Sequence, residues 1–532
     1  MKKEEIREKK VQELDDHFGG VLDDYEAERR ERQRRKNGRE RMRRRRRKMM
    51  MIRCGVFLGL LLILLVCIIF LVKDIKGKKN DPKPQDQQEE VITDQDVAVE
   101  DESSALNSGI ESAIADTASA KQEILDEAAY IKAGYDYDGA IALLQTIDGY
   151  ENDPEITALI AQYTQERDAC VAIDPNTVPH IFYHSLVNDV NRAFNPDVVG
   201  ASAAAGQNAW MTTIEEFDKI TQMMYDNGYV FVRLRDLVVE TKDENGNSTF
   251  TPNTNLKLPV GKKAVVLSID DLSYYHSYKA AGYPNKLVLD ENGKVKCEYT
   301  DANGVTTIGD YDVVPRLNTF LEAHPDGAYK GARGLIAMTG YNGVFGYRTD
   351  VAYKTGEKLG WDQQEWLDEH PDFNWDQEVA DAKVIADAIK ESGWEFASHT
   401  WGHLSVTSKS VETLKTDNEK WVNTVENIVG DVDTIIFAHG NDIGDWRDYS
   451  SDNEKYQYFK SAGYNFFCNV DGSTPYWVQI RDNYVRQGRL NLDGFMLYRA
   501  STGQTTVIDG LFTASQVFDS RRSTPVTAEG QG

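Results

Sequence analysis

Short apolar runs alternate with amphipathic helical segments from about residue 180 to about residue 470, and this alternation constrains the fold more than any other feature. Apolar runs of four to seven residues bounded by turn signals are typical of buried strands. Strands separated by helices pair in parallel, so the pattern predicts an α/β fold. Seven runs favour a (β/α) barrel, in which functional residues gather at the carboxyl ends of the strands. The predicted strands are residues 180–186, 230–234, 264–269, 334–338, 394–397, 434–437 and 465–468.

Two of these runs end in residues that commonly bind metal ions. Asp270 and Asp271 close the run 264–269, and His399 and His403 follow the run 394–397. One Asp and two His form a three-ligand set that leaves one position open for water, which is the pattern of a catalytic rather than a structural zinc site. We therefore predict Asp271, His399 and His403 as metal ligands. Asp270 is a spare carboxylate beside that water and is a candidate general base.

A second pair of histidines has the same spacing but a different context. His180 and His184 lie in a predicted strand, where a rise of ~3.3 Å per residue places their rings ~13 Å apart. They are therefore too far apart to share one ion. His399 and His403 instead flank a loop that contains Gly402, where side chains four residues apart can converge.

The N-terminal region predicts a membrane anchor. Residues 1–50 contain 19 Lys and Arg against 12 Asp and Glu, and residues 54–72 follow without a single charge. At ~1.5 Å per residue, nineteen apolar residues just cross a bilayer core of ~30 Å. Because the basic block precedes this span, the positive-inside rule places the N-terminus in the cytoplasm. We expect a single-pass cell-membrane protein with an extracellular catalytic domain, bound to the cytoplasmic membrane through one helix, and no nucleic-acid partner.

Composition divides the chain into segments. Residues 74–117 are polar, acidic and rich in Ser, Asp and Gln, which is typical of a disordered linker. The segment after it is similar to a single tetratricopeptide-type helical hairpin, and we expect it to act as a spacer. The predicted segments are a cytoplasmic basic tail (1–52), a transmembrane helix (53–73), a disordered linker (74–117), a helical spacer (118–172), the barrel domain (175–510) and a C-terminal tail (511–532).

An insertion interrupts the alternation after the first metal motif. Residues 286–299 predict a hairpin with an Asn-Gly turn at Asn292 and Gly293, and Asn303 and Gly304 predict a second turn. We expect this insertion at the mouth of the barrel, where it would form one wall of a substrate groove.

Residues 175–510 resemble the polysaccharide deacetylases of the NodB-homology type, which are metal-dependent carbohydrate esterases on a distorted (β/α) barrel. The residues Ser268 to Asp271 are similar to the Thr-Phe-Asp-Asp motif of that family, and His399 to His403 are similar to its His-Ser/Thr-x-x-His motif. The opening strand around His184 resembles the Tyr-His strand of many members. The resemblance implies an acetylated polysaccharide as substrate and a divalent metal as cofactor, with Zn²⁺ as the best match.

The chain departs from this family in two motifs. The third motif usually contains Arg or Pro but here is Phe437-Ala438-His439-Gly440, and no His follows His439, so the usual late Leu-x-x-His motif is absent. In one branch of the family the opening strand supplies the general acid, which implies His184 for that role, with His439 as a second candidate. Arg348 is a candidate replacement for the missing Arg. The aromatic residues predicted at the rim, as sugar-stacking or ordinary packing residues, are Tyr341, Tyr347 and Trp401.

The residues and the resemblance together predict a metal-dependent amide hydrolase that removes N-acetyl groups from a cell-surface polysaccharide, either peptidoglycan or an exopolysaccharide. Two alternatives stay open. One is a carbohydrate-binding or wall-sensing protein that keeps the barrel but has lost turnover, as the altered third motif and the missing late His would allow. The other is a metal-dependent O-esterase on the same scaffold. Asp270 favours an enzyme, because a protein that only binds a sugar needs no base.

Overall fold

A computed structural model describes residues 119–528. Within them, seven parallel strands close a barrel, and each strand pairs with the next along the chain until the last pairs with the first. The predicted closed barrel is therefore confirmed. The barrel strands are β1 (His180–Tyr183), β2 (Lys263–Asp270), β3 (Leu335–Met338), β4 (Glu395–Ser398), β5 (Thr434–Ile436), β6 (Phe466–Val470) and β7 (Tyr484–Asn491).

One barrel strand differs from the prediction. Tyr229–Phe231 is a short strand that pairs with the beginning of β2 and lies outside the barrel, while β7, which was not predicted, completes the barrel. The prediction missed β7 because it contains Arg486, Gln487 and Arg489, yet all three side chains are buried. Apolar content identifies only strands whose buried faces are apolar, and β7 buries charge instead.

Helices fill the connections between the strands. The α-helical segments are residues 119–133, Tyr137–Leu144, Pro154–Asp168, Val190–Ala193, Pro196–Val199, Ala201–Trp210, Ile214–Asp226, Val313–Ala323, Val351–Thr355, Trp361–Glu369, Trp375–Glu391, Val411–Trp421, Asn427–Val429, Glu454–Ser461, Gly494–Ser501 and Ala514–Val517. Short 3₁₀ turns lie at Tyr150–Asn152, Pro175–Thr177, Leu234–Leu237, His276–Lys279, Pro325–Gly327, Tyr329–Gly331 and Ala438–Gly440, and a π-helical turn at Val422–Glu426.

Ile214–Asp226 illustrates how these helices form and pack. Its N-terminus is a capping box, in which the Thr213 hydroxyl accepts from the Glu216 N–H at 3.2 Å and the Glu216 carboxylate accepts from the Thr213 N–H at 2.9 Å. Its apolar face joins the barrel core. Glu216 also accepts from Nε of Arg522 at 2.7 Å, and both side chains are fully buried. The segment that carries Arg522 is thus fixed to the barrel wall.

Three helical segments pack against the amino ends of the barrel strands. Residues 119–133, Tyr137–Leu144 and Pro154–Asp168 share a buried apolar cluster with Ala264 at the start of β2 and Leu335 at the start of β3. This layer therefore lies at the end of the barrel opposite to the carboxyl ends of the strands.

The insertion after β2 forms an antiparallel sheet of Lys286–Leu289, Val295–Thr300 and Thr306–Gly309. Gly293 and Gly304 adopt φ values of 75° and 78°, the left-handed conformation that these turns require. The predicted hairpin turns are confirmed. The N–H of Leu287 donates to the carbonyl of Phe345 at 2.9 Å, which joins this sheet to the loop after β3. The remaining strands form small pairs: Val171–Ala172 with Lys257–Leu258, Val238–Lys242 with Ser248–Pro252, and Val478–Arg481 with β7.

The predicted localisation requires correction. No helix between residues 119 and 528 is both long and apolar enough to cross a bilayer, so the structure does not support a single-pass membrane protein with a cytoplasmic N-terminus and an extracellular catalytic domain. A crossing helix needs about 20 apolar residues, whereas Trp375–Glu391 has 17 residues and contains seven charged ones. The apolar stretch 54–72, the basic tail and the linker lie outside the described residues.

Candidate metal centre

The carboxyl ends of β2 and β4 bring the predicted ligands together. β2 ends at Asp270 with Asp271 next in the chain, and β4 ends at Ser398 with His399 next. Asp271, His399 and His403 each offer a ligand atom, and these atoms lie within 4.8 Å of one another. Nε2 of His403 is 3.5 Å from Oδ2 of Asp271. The three side chains can therefore surround one ion.

The hydrogen bonds of these side chains leave their ligand atoms available. Nδ1 of His399 lies 2.7 Å from the carbonyl of Ile436, and since a carbonyl only accepts, this nitrogen donates and Nε2 keeps its lone pair. Burial lowers the pKa of His399 below its ordinary value, which favours the neutral, metal-binding form. Oδ1 of Asp271 is buried without a hydrogen-bond partner among the described residues. A buried carboxylate oxygen with no donor fits a cation site.

The loop from His399 to His403 is held in an unusual conformation. Thr400 and His403 have φ values of 62° and 51°, which cost roughly 1–2 kcal/mol per non-glycine residue. The carboxylate of Asp417 holds the loop by accepting from the N–H groups of Trp401 at 2.6 Å and Gly402 at 2.9 Å. Asp417 thereby positions both histidines from one side.

Asp270 forms a buried, bidentate ion pair with Arg489. Arg489 donates from Nη1 to Oδ1 at 2.7 Å and from Nη2 to Oδ2 at 2.9 Å. Burial by itself would raise the pKa of Asp270, but Arg489 and then His399 lower it more, and the net pKa lies well below the ordinary value. Asp270 is therefore ionised at neutral pH. Oδ2 of Asp270 is also 3.8 Å from Nε2 of His399, which places it beside the ligands.

Arg489 is the functional residue that the sequence analysis missed. Arg348, the predicted replacement for the missing arginine, instead donates from Nη2 to the carbonyl of Tyr274 at 2.9 Å. One sequence signal could have located Arg489. Asp482 and Asn483 form the two-residue turn of a hairpin that pairs Arg481 with Tyr484, and this turn marks the start of β7.

His184 and His439 both lie at this rim but in different surroundings. His184 follows β1 and is close enough to Asp270 and Asp493 for its charge to lower the pKa of each, although burial raises the pKa of Asp493 overall. The ring of His439 lies 4.3 Å from that of His403, and its Nε2 is 3.1 Å from the His403 carbonyl. His439 thus supports a ligand, whereas the His184 ring lies 5.9 Å from that of Phe182, over which the guanidinium carbon of Arg489 lies at 4.1 Å.

The predicted rim aromatics occupy distinct environments. Tyr347 is buried, and its hydroxyl donates to the Leu287 carbonyl at 3.0 Å, so it belongs to the core. Trp401 is half-buried with the ammonium of Lys420 4.5 Å from its ring centre. Tyr341 is 36% exposed and stacks on Tyr275 with ring centres 5.2 Å apart. Tyr341 and Trp401 therefore expose aromatic surface near the ligands, and Tyr347 does not.

Comparisons with known proteins add little to this geometry. No protein-family model matches the chain, and no curated protein matches it. Among solved structures, the chain is similar to the Streptococcus pyogenes deacetylase PplD in complex with acetate, at 14% sequence identity and a TM-score of 0.29. That match covers 60% of this chain and 96% of the other. A likeness this distant does not assign an activity.

Proposed function

We propose that the barrel is a metal-dependent hydrolase that removes N-acetyl groups from a polysaccharide. The observation that carries this proposal is the ionised, buried Asp270 carboxylate 3.8 Å from His399, beside a set of three ligands on the same barrel rim. A protein that only bound sugars would need neither a carboxylate beside the ligands nor an open ligand position.

Asp271, His399 and His403 would hold a divalent cation, and Zn²⁺ matches this mixed His and carboxylate set. When bound, such a metal polarises the acetyl carbonyl and lowers the pKa of an attacking water. The remaining chemistry belongs to the side chains of the chain itself.

Asp270 acts as the general base and takes a proton from the attacking water. Its low pKa keeps it ionised but makes it a weak base, and the cation that the three ligands would hold would supply the added acidity of the water. Arg489 fixes both carboxylate oxygens and prevents the buried group from becoming protonated. Asp270 therefore requires Arg489 for its charge and its orientation.

His184 is the proposed general acid for the leaving amine. It lies on the same rim as Asp270, and its charge acts on both Asp270 and Asp493. His439 is better placed to hold His403, because it contacts the ring and the carbonyl of that ligand. The proposal therefore assigns proton donation to His184 and a positioning role to His439.

The test is acetate release from a fully N-acetylated chito-oligosaccharide by the full chain, with added Zn²⁺ and with a chelator. We expect turnover that the chelator abolishes and Zn²⁺ restores. Sugar binding and zinc binding without any acetate release would instead support a carbohydrate-binding protein. Release only from an O-acetylated substrate would support the esterase alternative.

A further inference from the structure

A cavity of about 540 Å³ lies beside the metal centre but is not lined by its ligands. Its walls come from the loop after β2, from the insertion sheet and from helix Trp361–Glu369. Tyr275 connects the two places: it lines the cavity and stacks on Tyr341, whose N–H donates at 3.0 Å to the carbonyl of Trp401 in the loop between His399 and His403. A volume of this size is typical of small-ligand sites.

Arg348 lines this cavity, and two of its hydrogen-bond donors have no acceptor within the described part of the chain. Its side chain is only 3% exposed, and Nη2 donates to the carbonyl of Tyr274. Nε and Nη1 are buried and have no acceptor anywhere in residues 119–528. Leaving a charged donor unpaired costs at least about 1–3 kcal/mol, so a buried arginine of this kind calls for a partner.

The acidic side chains of the cavity do not supply that partner. Glu378 accepts from the backbone N–H of Arg348 at 2.7 Å rather than from its guanidinium. Glu298 accepts from Asn285 at 3.2 Å, and Glu369 lies 3.7 Å from His276. Asp372 is exposed. The two nitrogens of Arg348 thus take no acceptor from the acidic side chains of the cavity wall.

The other walls suit a sugar. Trp366 stacks on His370 with ring centres 4.0 Å apart and an interplanar angle of 9°, and the Arg348 guanidinium carbon is 5.6 Å from the Trp366 ring centre. Lys279 and Lys286 add two further positive charges to the cavity wall. Aromatic rings beside fixed cationic donors form a typical environment for a sugar with an anionic substituent.

We propose that this cavity is a subsite for an anionic substituent, a carboxylate or a phosphate, on the polysaccharide chain, and that Arg348 pairs with it. The identification of the ligand as a carbohydrate rests on the proposed function. The anion preference rests on Arg348 and the cavity alone. Arg348 is thus a specificity-determining residue, separate from the residues that hold the metal or move protons.

The test is calorimetric binding of three oligosaccharides to the full chain after chelator treatment, so that turnover plays no part. The probes are N-acetylchitotetraose, the same tetramer carrying a 6-phosphate, and a tetramer of alternating N-acetylglucosamine and glucuronic acid. We expect at least one anionic probe to bind about 10- to 100-fold more tightly than the neutral one, since hydrogen bonds to charged groups are worth that much. The anionic probe that binds more tightly identifies phosphate or carboxylate as the natural substituent.

Substitution of Arg348 separates an anion subsite from a structural role. Arg348→Met should abolish the anion preference and leave the affinity for the neutral tetramer within about twofold. Arg333→Met is the matched control. Arg333 is also buried and donates to Asn318 at 3.2 Å, but it lies at the amino end of β3. The preference for anionic probes should therefore persist in this variant. Arg348→Lys keeps the charge and should retain part of the anion preference. This variant replaces Arg348→Met in the test if the Met variant does not fold.

Equal binding of all three probes by the wild-type chain would overturn the proposal. So would an anion preference that survives in both Arg348 variants. If acetate release fails while the anion preference holds, the proposed function is wrong and the subsite stands. If acetate release is normal and the preference is absent, only the subsite is wrong.

Discussion

Replacing Asp270 with Asn tests the central assignment of the metal centre. Asn keeps the shape and one acceptor oxygen of the side chain but removes its charge and basicity. General-base catalysis typically contributes ~10²–10⁴-fold, so the rate of acetate release should fall by at least about 100-fold. Zinc content should be unchanged, because Asp271, His399 and His403 remain in place.

The same substitution also has a cost in stability that the structure helps to estimate. Besides Asp270, the Arg489 guanidinium has one further hydrogen-bond acceptor among the described residues, the Ser268 hydroxyl at 3.1 Å. Removing one partner of a buried ion pair typically costs ~3–5 kcal/mol, and the oxygen of Asn should keep the loss near the lower end. Urea unfolding measures this loss.

Asp442→Asn is the matched control, because Arg486 of β7 pairs with Asp442 as Arg489 pairs with Asp270. Arg486 keeps the carbonyl of Arg447 at 2.9 Å and Gln479 at 3.2 Å, so this variant should lose less stability. Its kcat should stay within about threefold of the wild type. An Asp270→Asn enzyme with near-normal kcat would refute the assignment of the base. Equal activity losses in both variants would show that lost stability, not lost chemistry, was the cause.

Further predictions concern the ligands, their support and the chain terminus. The double substitution of His399 and His403 by Ala should remove most bound zinc while the barrel still folds, as circular dichroism would show; full metal occupancy, measured by elemental analysis, would contradict the ligand assignment. Asp417→Ala should weaken zinc affinity by roughly 10- to 100-fold, because it releases the loop between the two histidines, and a competition titration with a chromogenic chelator measures this. Burial raises the pKa of Asp519, but Arg521 lowers it more, to about 2. Its contribution to the free energy of unfolding is therefore complete above its unfolded pKa of ~3.9 and is lost as the pH falls toward 2. Asp519→Asn should consequently reduce stability at pH 6 more than at pH 2.5, and an equal loss at both pH values would refute this.

β7 shows why part of the site could not be predicted. Its residues from Tyr484 to Leu490 are buried, but Arg486 and Arg489 give it the composition of a surface segment. Burial of these charges is possible only because Asp442 and Asp270 reach them from other strands and loops, across more than 40 residues of sequence. A local pattern carries no information about such distant partners, so the sequence analysis named Arg348 and did not identify Arg489.

The sequence by itself determined six of the seven barrel strands, the strand ends that carry Asp270, Asp271, His399 and His403, and the turns of the insertion. These features depend on local periodicity, on residues adjacent in the chain, and on the rule that parallel strands end on one face. Only the tertiary structure decided which arginine holds Asp270, which histidine supports a ligand, and that Arg348 faces a cavity without a partner. Each of these depends on distances between side chains far apart in the sequence, which are set by how the whole barrel closes.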